Sequence, residues 1–278
     1  MKWTNYHTHS HFCDGDGSPE DYVQMAIKRN FLVLGFTSHA PAPFPTNWTM
    51  PRERFNEYLR VLKHLKIKYQ DQIEILIGLE IDFIPDLQSI HDFDQYDLDY
   101  TLGSVHFLGE YSSGYRWCVD NDPMELQQGI TESFGGNINA AIKEYYQRIK
   151  TMVIEAPPTI IGHLDLIKKN NISSPFFNER DPFYQEQVEQ CLQVIRKSTC
   201  VVEINTGGIA RQRYPELYPS PWIIERCAQL DIPMVLNSDC HSPEGIDGYF
   251  TTALKRLAEM GLPRLNYLSQ GVWKIVNY

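Results

Sequence analysis

Short apolar runs alternate with amphipathic segments along most of this chain. The runs are rich in Ile, Val, Leu and Phe, and their length and composition are typical of buried β-strands. In the segments between them, apolar residues recur at the i, i+3 and i+4 spacing of a helix with one buried face. Strands are predicted at residues 3–7, 31–36, 73–79, 98–105, 159–163, 200–205 and 233–239.

Proline and capping residues mark the positions where several helices begin. Ser18 has the properties of an N-cap, Pro19 suits the first helical position, and acidic residues follow in the first turn. Pro51 is expected to open a longer helix whose apolar positions include Phe55 and Leu62. Further helices are predicted at about 137–156, around 188–195 and at about 221–230.

The order of these elements predicts an α/β fold. Strands that are apolar almost throughout are buried on both faces, which indicates a parallel sheet covered by helices. Seven or eight βα units in a chain of 278 residues fit a closed barrel better than an open sheet. In such a barrel the active site lies at the carboxyl ends of the strands.

Charge and cysteine content narrow the partners and the location that we expect. The chain has 25 Lys and Arg against 35 Asp and Glu, a net charge of −10, and it lacks a basic tract that would bind nucleic acid. The first residues lack the apolar core of a signal peptide, and no apolar run reaches the roughly 18 to 20 residues that cross a membrane. The six cysteines form no CxxC pair. We therefore expect a reduced, cytoplasmic protein without membrane or nucleic-acid partners.

Six of the nine histidines stand at the ends of predicted strands. Side chains alternate in extended backbone, so His7 and His9 point to the same side and can bind one metal ion together. Asp239 and His241 repeat this arrangement after the last strand, with Cys240 facing away. The polar residues at strand ends are His7, His9, His39, Glu80, His106, His163, Asp239 and His241.

Their joint position favours a metal site over a set of unrelated structural residues. A single histidine or carboxylate at a strand end is usually a hydrogen-bonded residue or a helix cap, but six histidines at one end of a barrel are not explained in that way. Nitrogen and carboxylate ligands without thiolates suit zinc, manganese or iron, and the sequence does not choose among them. His64 and His91 are expected at the surface, and His11 is left open between a substrate contact and solvent.

These motifs together resemble the PHP (polymerase and histidinol phosphatase) superfamily, in its order and spacing from His7 to His241. The motifs are HTHSHFCDG at 7–15, His39, Glu80, His106, His163 and DCH at 239–241. The resemblance implies a single domain over residues 1–278, folded as a distorted seven-stranded (β/α)7 barrel, with two or three divalent metal ions. Within the superfamily, the segments FTSHAPAPFP, GSVHFL, GHLDLIKK, EINTGG and YPSP are most similar to the histidinol-phosphate phosphatases.

The resemblance also implies a ligand set for each of three ions. The implied sets are His7, His9, Glu80 and Asp239 for the first ion, Glu80 with His106 and His163 for the second, and Asp14 with His39 and His241 for the third. Glu80 would bridge the first two ions. Asp14 is the least certain ligand, because Asp16 is an alternative and because Asp14 is also suited to a simple turn.

The implied activity is hydrolysis of a phosphomonoester, with L-histidinol phosphate and water giving L-histidinol and phosphate. Metal binding lowers the pKa of water, so a hydroxide that bridges two metals is the expected nucleophile, and Glu80, Asp239 and His241 are the expected catalytic residues. A phosphate dianion also needs a cationic partner, for which Arg211, then Lys169 and then Arg116 are candidates, although each is also suited to the surface. The substrate tail has candidate contacts in the loop after the fourth strand: Tyr111, Tyr115, Trp117 and Asp120.

Three other functions remain open. A PHP-type phosphodiesterase or exonuclease would use the same metals, but the acidic charge disfavours a polynucleotide partner. A metal-dependent amidohydrolase also has an HxH motif on its first strand, but such enzymes usually have eight strands and a bridging carboxylated lysine. A non-catalytic PHP module is the third alternative, and such modules usually lose ligands that this chain can supply.

Overall fold

Short strands alternate with helices in the computed structural model, which describes residues 2–173 and 175–278. The strands are β1 (Trp3–Asn5), β2 (Phe31–Phe36), β3 (Glu74–Ile77), β4 (Glu80–Asp82), β5 (Leu102–Ser104), β6 (Phe107–Glu110), β7 (Arg116–Cys118), β8 (Ile160–Ile161), β9 (Val201–Asn205), β10 (Met234–Asn237), β11 (Arg264–Ser269) and β12 (Val272–Asn277). The helices are α1 (Pro19–Lys28), α2 (Phe55–Lys68), α3 (Pro123–Phe134), α4 (Ile138–Glu155), α5 (Pro182–Ile195), α6 (Gly207–Ala210), α7 (Pro221–Gln229) and α8 (Phe250–Glu259).

Two parallel sheets contain all of the strands that the apolar runs predict. One sheet has the order β1-β2-β3, the other has the order β10-β9-β8-β5-β4, and every neighbouring pair in both is parallel. Two antiparallel hairpins, β6–β7 and β11–β12, stand apart from these sheets. The expected α/β fold is therefore confirmed.

The third predicted strand is interrupted in the middle and joins the two sheets. Gly78 N donates to Phe36 O of the first sheet at 2.9 Å, whereas Leu79 O accepts from Leu102 N of the second sheet at 2.9 Å. Gly78 is required here, because an added Cβ would lie 2.8 Å from the ring of Tyr100. Glu80 consequently begins a new strand. The sequence pattern had instead indicated that Glu80 follows one continuous strand.

Backbone hydrogen bonds also join the other edges of the two sheets, just beyond β1 and β10. His9 N donates to Cys240 O at 3.0 Å, and Cys240 N donates to His7 O at 3.3 Å. The segment that carries His7 and His9 is thereby held beside the segment that carries Asp239 and His241.

One apolar cluster gathers a side chain from, or directly beside, each of the parallel strands except β4. Its members are Tyr6, Val33, Leu76, Tyr100, Leu102, Ile160, Val201, Val235 and Leu268. Tyr6 Oη donates to Leu268 O at 2.8 Å and accepts from Leu268 N at 2.9 Å, while Tyr100 Oη donates to Tyr6 O at 2.7 Å. This buried cluster fills the space between the sheets below the strand ends, so the polar residues beyond the ends line a separate space.

The capping and proline signals place one helix start correctly and another one turn too early. The start of α1 is confirmed, since Ser18 and Asp21 form a capping box around Pro19. The start expected at Pro51 is wrong by one turn, because 52–54 form a 3₁₀ turn before α2. The sequence analysis missed α3, α6, α8 and both hairpins. Within the described ranges, no helix combines the length and the apolar character needed to cross a membrane.

Gly35 gives a test of how tightly the apolar cluster is packed. An added Cβ at Gly35 would lie 2.3 Å from Tyr100 Oη, so Gly35→Ala should force Tyr100 off its bond to Tyr6 and lower the free energy of unfolding by about 1–3 kcal/mol. The measurement is urea denaturation followed by tryptophan fluorescence. Gly245→Ala is the control, since its added Cβ would make an ordinary 3.4 Å contact, and we expect a change within about 0.5 kcal/mol. Equal stability of the two variants would contradict the expected packing.

Candidate metal centre

The polar residues at the strand ends meet in one cluster beyond the parallel sheets. His7, His9 and Asp14 follow β1, His39 follows β2, Glu80 begins β4, and the other ligand candidates follow β5, β8 and β10. Ligand atoms lie within 4.8 Å of one another in four overlapping groups. The groups are His7, His9 and Asp239; His7, Glu80 and His163; His39, Glu80 and His106; and His9, Asp14, His39 and His241.

Glu80 lies at the centre of the cluster and directs its two carboxylate oxygens at different histidines. Oε1 is 3.0 Å from His163 Nε2 and 3.7 Å from His106 Nε2. Oε2 is 3.0 Å from His7 Nε2, 3.1 Å from His39 Nδ1 and 3.4 Å from His9 Nε2. A carboxylate with this arrangement can bind two metal ions at once.

Asp14 forms the more open side of the cluster. Its Oδ2 lies 3.3 Å from His241 Nε2, and its Oδ1 lies 3.6 Å from His9 Nδ1 and 3.8 Å from His39 Nε2. The side chain is 31% exposed, against 1% for Glu80. Asp16, the alternative ligand, has an exposed side chain and contributes backbone atoms, with its N donating to His241 O at 2.7 Å. Within the described residues, Asp16 belongs to none of the four groups.

Two imidazole nitrogens test whether this cluster fits a metal ion. His9 Nε2 and His39 Nδ1 are buried and make no hydrogen bond to any part of the chain that the structure describes. Burial lowers the pKa of His9 and lowers that of His39 to about 4, so both rings are neutral and offer lone pairs. Unpartnered neutral imidazoles beside carboxylates fit zinc, manganese or iron, which bind nitrogen and oxygen ligands.

The carboxylates of the cluster are held in their ionised form. Burial alone would raise the pKa of Glu80, but His39, His7 and His163 hold it well below its usual range. Burial opposes ionisation of Asp239 in the same way, and Arg211 and the histidines outweigh it. Glu203, followed by Glu80 and Asp239, raises the pKa of His7 despite its burial, which indicates a strong preference for positive charge at this place.

Three residues that the sequence analysis did not assign support the ligand candidates. Glu203 Oε1 is 2.7 Å from His7 Nδ1, and Asp82 Oδ1 is 2.9 Å from His106 Nδ1. Trp48 packs edge-on against His39 at a ring distance of 4.5 Å. A charged residue inside the apolar run 200–205 was a usable signal for Glu203, whereas nothing in the local sequence indicated the contact of Trp48.

The three cationic candidates lie at different distances from the cluster. Arg211 is part of it, since Nη2 is 3.0 Å from Asp239 Oδ2 and Nη1 contacts His241 Nδ1. Lys169 Nζ is 2.8 Å from Asp120 Oδ2 and lowers the pKa of Asp120 to about 2 against the effect of burial. Val119, the neighbour of Asp120 in the chain, donates its N to His106 O at 2.9 Å, which puts Asp120 and Lys169 beside His106.

Arg116 and several other candidates serve the surrounding structure. Arg116 pairs with Glu110 at 2.8 Å and lies over the ring of Phe44. Trp117 is fully buried and donates to Ser133 Oγ at 2.9 Å, so its expected role at the substrate tail is not supported. Tyr111 and Tyr115 stack on each other beside the β6–β7 hairpin.

His64, His91 and Cys240 take the positions that the sequence indicated, and His11, which the sequence left open, lies at the surface. His11, His64 and His91 are exposed, and His91 pairs with Asp94 at 2.8 Å. The sulfur of Cys240 points toward Thr8 Oγ1 at 3.8 Å, on the side opposite to the metal-binding groups.

A comparison with known protein families shows which family carries this cluster. The family model that describes the PHP domain matches residues 5–207 of the chain. The chain belongs to the PHP domain family. The matched part includes every candidate ligand of the PHP domain except Asp239 and His241, which join the cluster through the contacts between β1 and β10 described above.

Related PHP proteins agree with the resemblance found in the sequence. A histidinol-phosphatase of Bacillus subtilis is 27% identical over 274 residues, covering 92% of this chain and 100% of that protein. A crystal structure of a candidate histidinol phosphatase from Listeria monocytogenes is 25% identical with a TM-score of 0.79, covering 90% of this chain and 99% of the other. A histidinol phosphate phosphatase from Lactococcus lactis, crystallised with zinc, L-histidinol and phosphate, has the same fold with a TM-score of 0.72 at 20% identity, over 98% and 99% of the two chains.

The open side of this PHP centre can be tested through Asp14. Asp14→Ala removes the only carboxylate in the group with His9, His39 and His241, so we expect zinc binding there to weaken at least 10-fold. The measurement is zinc content and affinity by elemental analysis and chelator competition. Asp16→Ala is the matched control and should bind zinc like the unmodified protein. Loss of zinc in Asp16→Ala but not in Asp14→Ala would reverse this assignment.

Proposed function

We propose that this PHP protein is a metal-dependent histidinol-phosphate phosphatase, which converts L-histidinol phosphate and water to L-histidinol and phosphate. The observation that carries the proposal is the buried cluster of imidazoles and ionised carboxylates around Glu80. The relatives named as histidinol-phosphatases cover nearly the whole chain, which supports the same reaction class and the same substrate.

The residues proposed as metal ligands are those of the four groups. Divalent metal ions bound there would activate water and neutralise the negative charge of the transferring phosphoryl group. Glu80 holds its oxygens toward two different sets of histidines, which supports its proposed bridging role. The donor set suits zinc, manganese or iron, and two or three ions would fit the four overlapping groups.

Asp239, His241 and Arg211 form the proposed phosphoryl end of the site. Arg211 is 33% exposed, and its planar guanidinium is suited to bind phosphate oxygens while it remains paired with Asp239. Asp239 is ionised, so it can accept a proton during the reaction and does not hold one to donate. His241 has a quarter of its side chain exposed and borders the same opening.

Asp120 and Lys169 form the proposed rim on the side of His106 and His163. Histidinol phosphate carries an ammonium group and an imidazole, and the ionised Asp120 carboxylate is suited to bind either of them. Lys169 is the second proposed cation for the phosphate, after Arg211. Arg116 is the weakest of the three, because its partner Glu110 is 45% exposed, whereas Asp239 and Asp120, which pair with Arg211 and Lys169, are at most 21% exposed.

We also propose that the two parallel sheets form one distorted seven-stranded barrel and that residues 1–278 are a single domain. Counting β3 and β4 as one interrupted strand, the parallel strands number seven: β1, β2, β3/β4, β5, β8, β9 and β10. Hydrogen bonds at Leu79 and between His9 and Cys240 support the continuity of the ring on both sides. The shared apolar cluster supports a common interior. A cytoplasmic location remains a proposal, and the six free cysteines are compatible with it.

A substrate panel tests the proposed reaction directly. The metal-loaded protein should hydrolyse histidinol phosphate with a higher kcat/KM than other phosphomonoesters, a phosphodiester or single-stranded DNA. The measurements are phosphate release for the esters and gel analysis for the DNA.

Glu80→Ala is the control for contaminating phosphatases, since it should lose turnover and metal loading together. A preference for the diester or for DNA would replace the proposal with a PHP-type phosphodiesterase or exonuclease. Full activity of Glu80→Ala with normal metal content would contradict the assigned site.

Arg211 and Arg116 provide a matched pair of arginines for the phosphate site. Arg211→Ala should lower kcat/KM for histidinol phosphate by about 10–100-fold, because a charge-assisted hydrogen bond contributes about 1.5–3 kcal/mol. Arg116→Ala should change it less than about threefold. Steady-state kinetics of both variants, at equal metal content, measures the difference, and a larger loss in Arg116→Ala would exclude Arg211 as the main phosphate ligand.

A further inference from the structure

Glu203 is a fully buried glutamate on β9 that belongs to none of the four metal-binding groups found in the described residues. Its Oε1 is 2.7 Å from His7 Nδ1 and accepts from Asn237 Nδ2 at 2.9 Å. Its Oε2 accepts from the backbone N of His163 at 2.8 Å and from Asn205 Nδ2 at 3.0 Å. Four polar groups from four strands or strand ends therefore converge on one carboxylate.

The orientation of the two asparagines is fixed by their other contacts. Asn205 Oδ1 accepts from Gly207 N at 2.7 Å, and Asn237 Oδ1 accepts from Tyr6 N at 2.8 Å. A backbone N–H is always a donor, so each asparagine must direct its NH₂ group at Glu203. Three of the four partners of Glu203 are thus donors whatever the state of His7, and an ionised carboxylate has just enough lone pairs to accept four.

The set of donors around the Glu203 carboxylate determines which nitrogen of His7 carries a proton. Three fixed N–H donors already point at the two oxygens of Glu203, which is the surrounding of a carboxylate, so the fourth partner, His7 Nδ1 at 2.7 Å, donates as well. The other nitrogen, Nε2, faces Glu80 Oε2 at 3.0 Å and is left to the metal-binding side. The same carboxylate fixes the backbone of His163, whose Nε2 faces the other oxygen of Glu80.

We propose that Glu203 is a positioning residue that fixes the Nδ1–H tautomer of His7 and the spacing of His7 and His163. By doing so it sets the metal affinity of the group formed by His7, Glu80 and His163. Outer carboxylates that orient histidine ligands typically change metal affinity by about 10–100-fold. The inference rests on the proposed metal binding, but it does not depend on which phosphate ester is the substrate.

An isosteric amide cannot replace this carboxylate. Glu203→Gln puts an NH₂ group against two donors in either orientation of the amide. If the NH₂ group faced Asn205 and His163, it would oppose the immobile backbone N–H of His163. The amide oxygen of the new Gln side chain should therefore stay on that side. The NH₂ group then faces His7, which is driven to donate from Nε2 and loses the lone pair that the metal needs.

The experiment measures zinc affinity by chelator competition in unmodified protein, Glu203→Gln and Glu203→Asp. We expect affinity to fall by about 10–100-fold in Glu203→Gln. Glu203→Asp keeps the charge but is one methylene shorter, so it cannot reach both histidines, and we expect it to lose at least 10-fold as well. Glu74→Gln is the matched control, because Glu74 on β3 also accepts two hydrogen bonds, from Ser269 Oγ and Gln270 N, away from the cluster. It should change zinc affinity less than twofold.

The second readout is the tautomer of His7 in long-range ¹H–¹⁵N spectra of the zinc-loaded protein. Unmodified protein should show a His7 proton on Nδ1, and Glu203→Gln should lose that signal. A His7 proton absent from Nδ1 in unmodified protein would overturn the inference without any variant. Unchanged zinc affinity in Glu203→Gln and Glu203→Asp would overturn it too. If unmodified protein itself bound no metal, the proposed function would fail instead.

Discussion

The structure depends on concentrating ionised carboxylates and neutral imidazoles in a space that water barely reaches. Glu80 is 1% exposed, and Asp239 and Glu203 are also buried. Burying an unpaired charge costs several kcal/mol, so such a cluster persists only when cations or donors compensate it. Here the compensation is shared. Amides, a backbone N–H and His7 surround Glu203. Glu80 and Asp239 each accept one hydrogen bond from an uncharged side chain, Ser104 Oγ at 2.7 Å and Asn205 Nδ2 at 3.3 Å, and otherwise face histidines, Arg211 and the metal ions.

The interruption at 78–79 explains how a single glutamate reaches so many partners. A continuous strand would direct its residues to one pair of neighbours, whereas this chain leaves one sheet at Gly78 and joins the other at Leu79. Glu80 therefore stands where the two sheets meet, with His7, His9 and His39 on one side and His106 and His163 on the other. The apolar cluster around Tyr6 and Tyr100 supports this arrangement from below.

The sequence predicted the positions of residues correctly where local periodicity determines them. It failed where contacts between distant parts of the chain determine them. Alternation alone indicated that His7 and His9 share a side, and both lie in the cluster. Capping residues gave the start of α1. The sequence could not show that Glu203 meets His7, because residues 196 positions apart are brought together only by the strand order. It ranked Lys169 above Arg116 but could not identify their ion-pair partners, because Asp120 and Glu110 lie in or beside the β6–β7 hairpin, which no apolar run predicted.

The uneven exposure of the cluster has a kinetic consequence. Asp14 and His241 are 31% and 25% exposed, whereas His7, Glu80 and His163 lie beneath them at 5% or less. An ion bound by the outer residues can exchange with solvent directly, but an ion between His7, Glu80 and His163 must pass them or wait for the strand ends to separate. The two positions should therefore lose their ions on different timescales. The inner ion would remain bound during purification, whereas the outer ion would exchange with ions in the buffer.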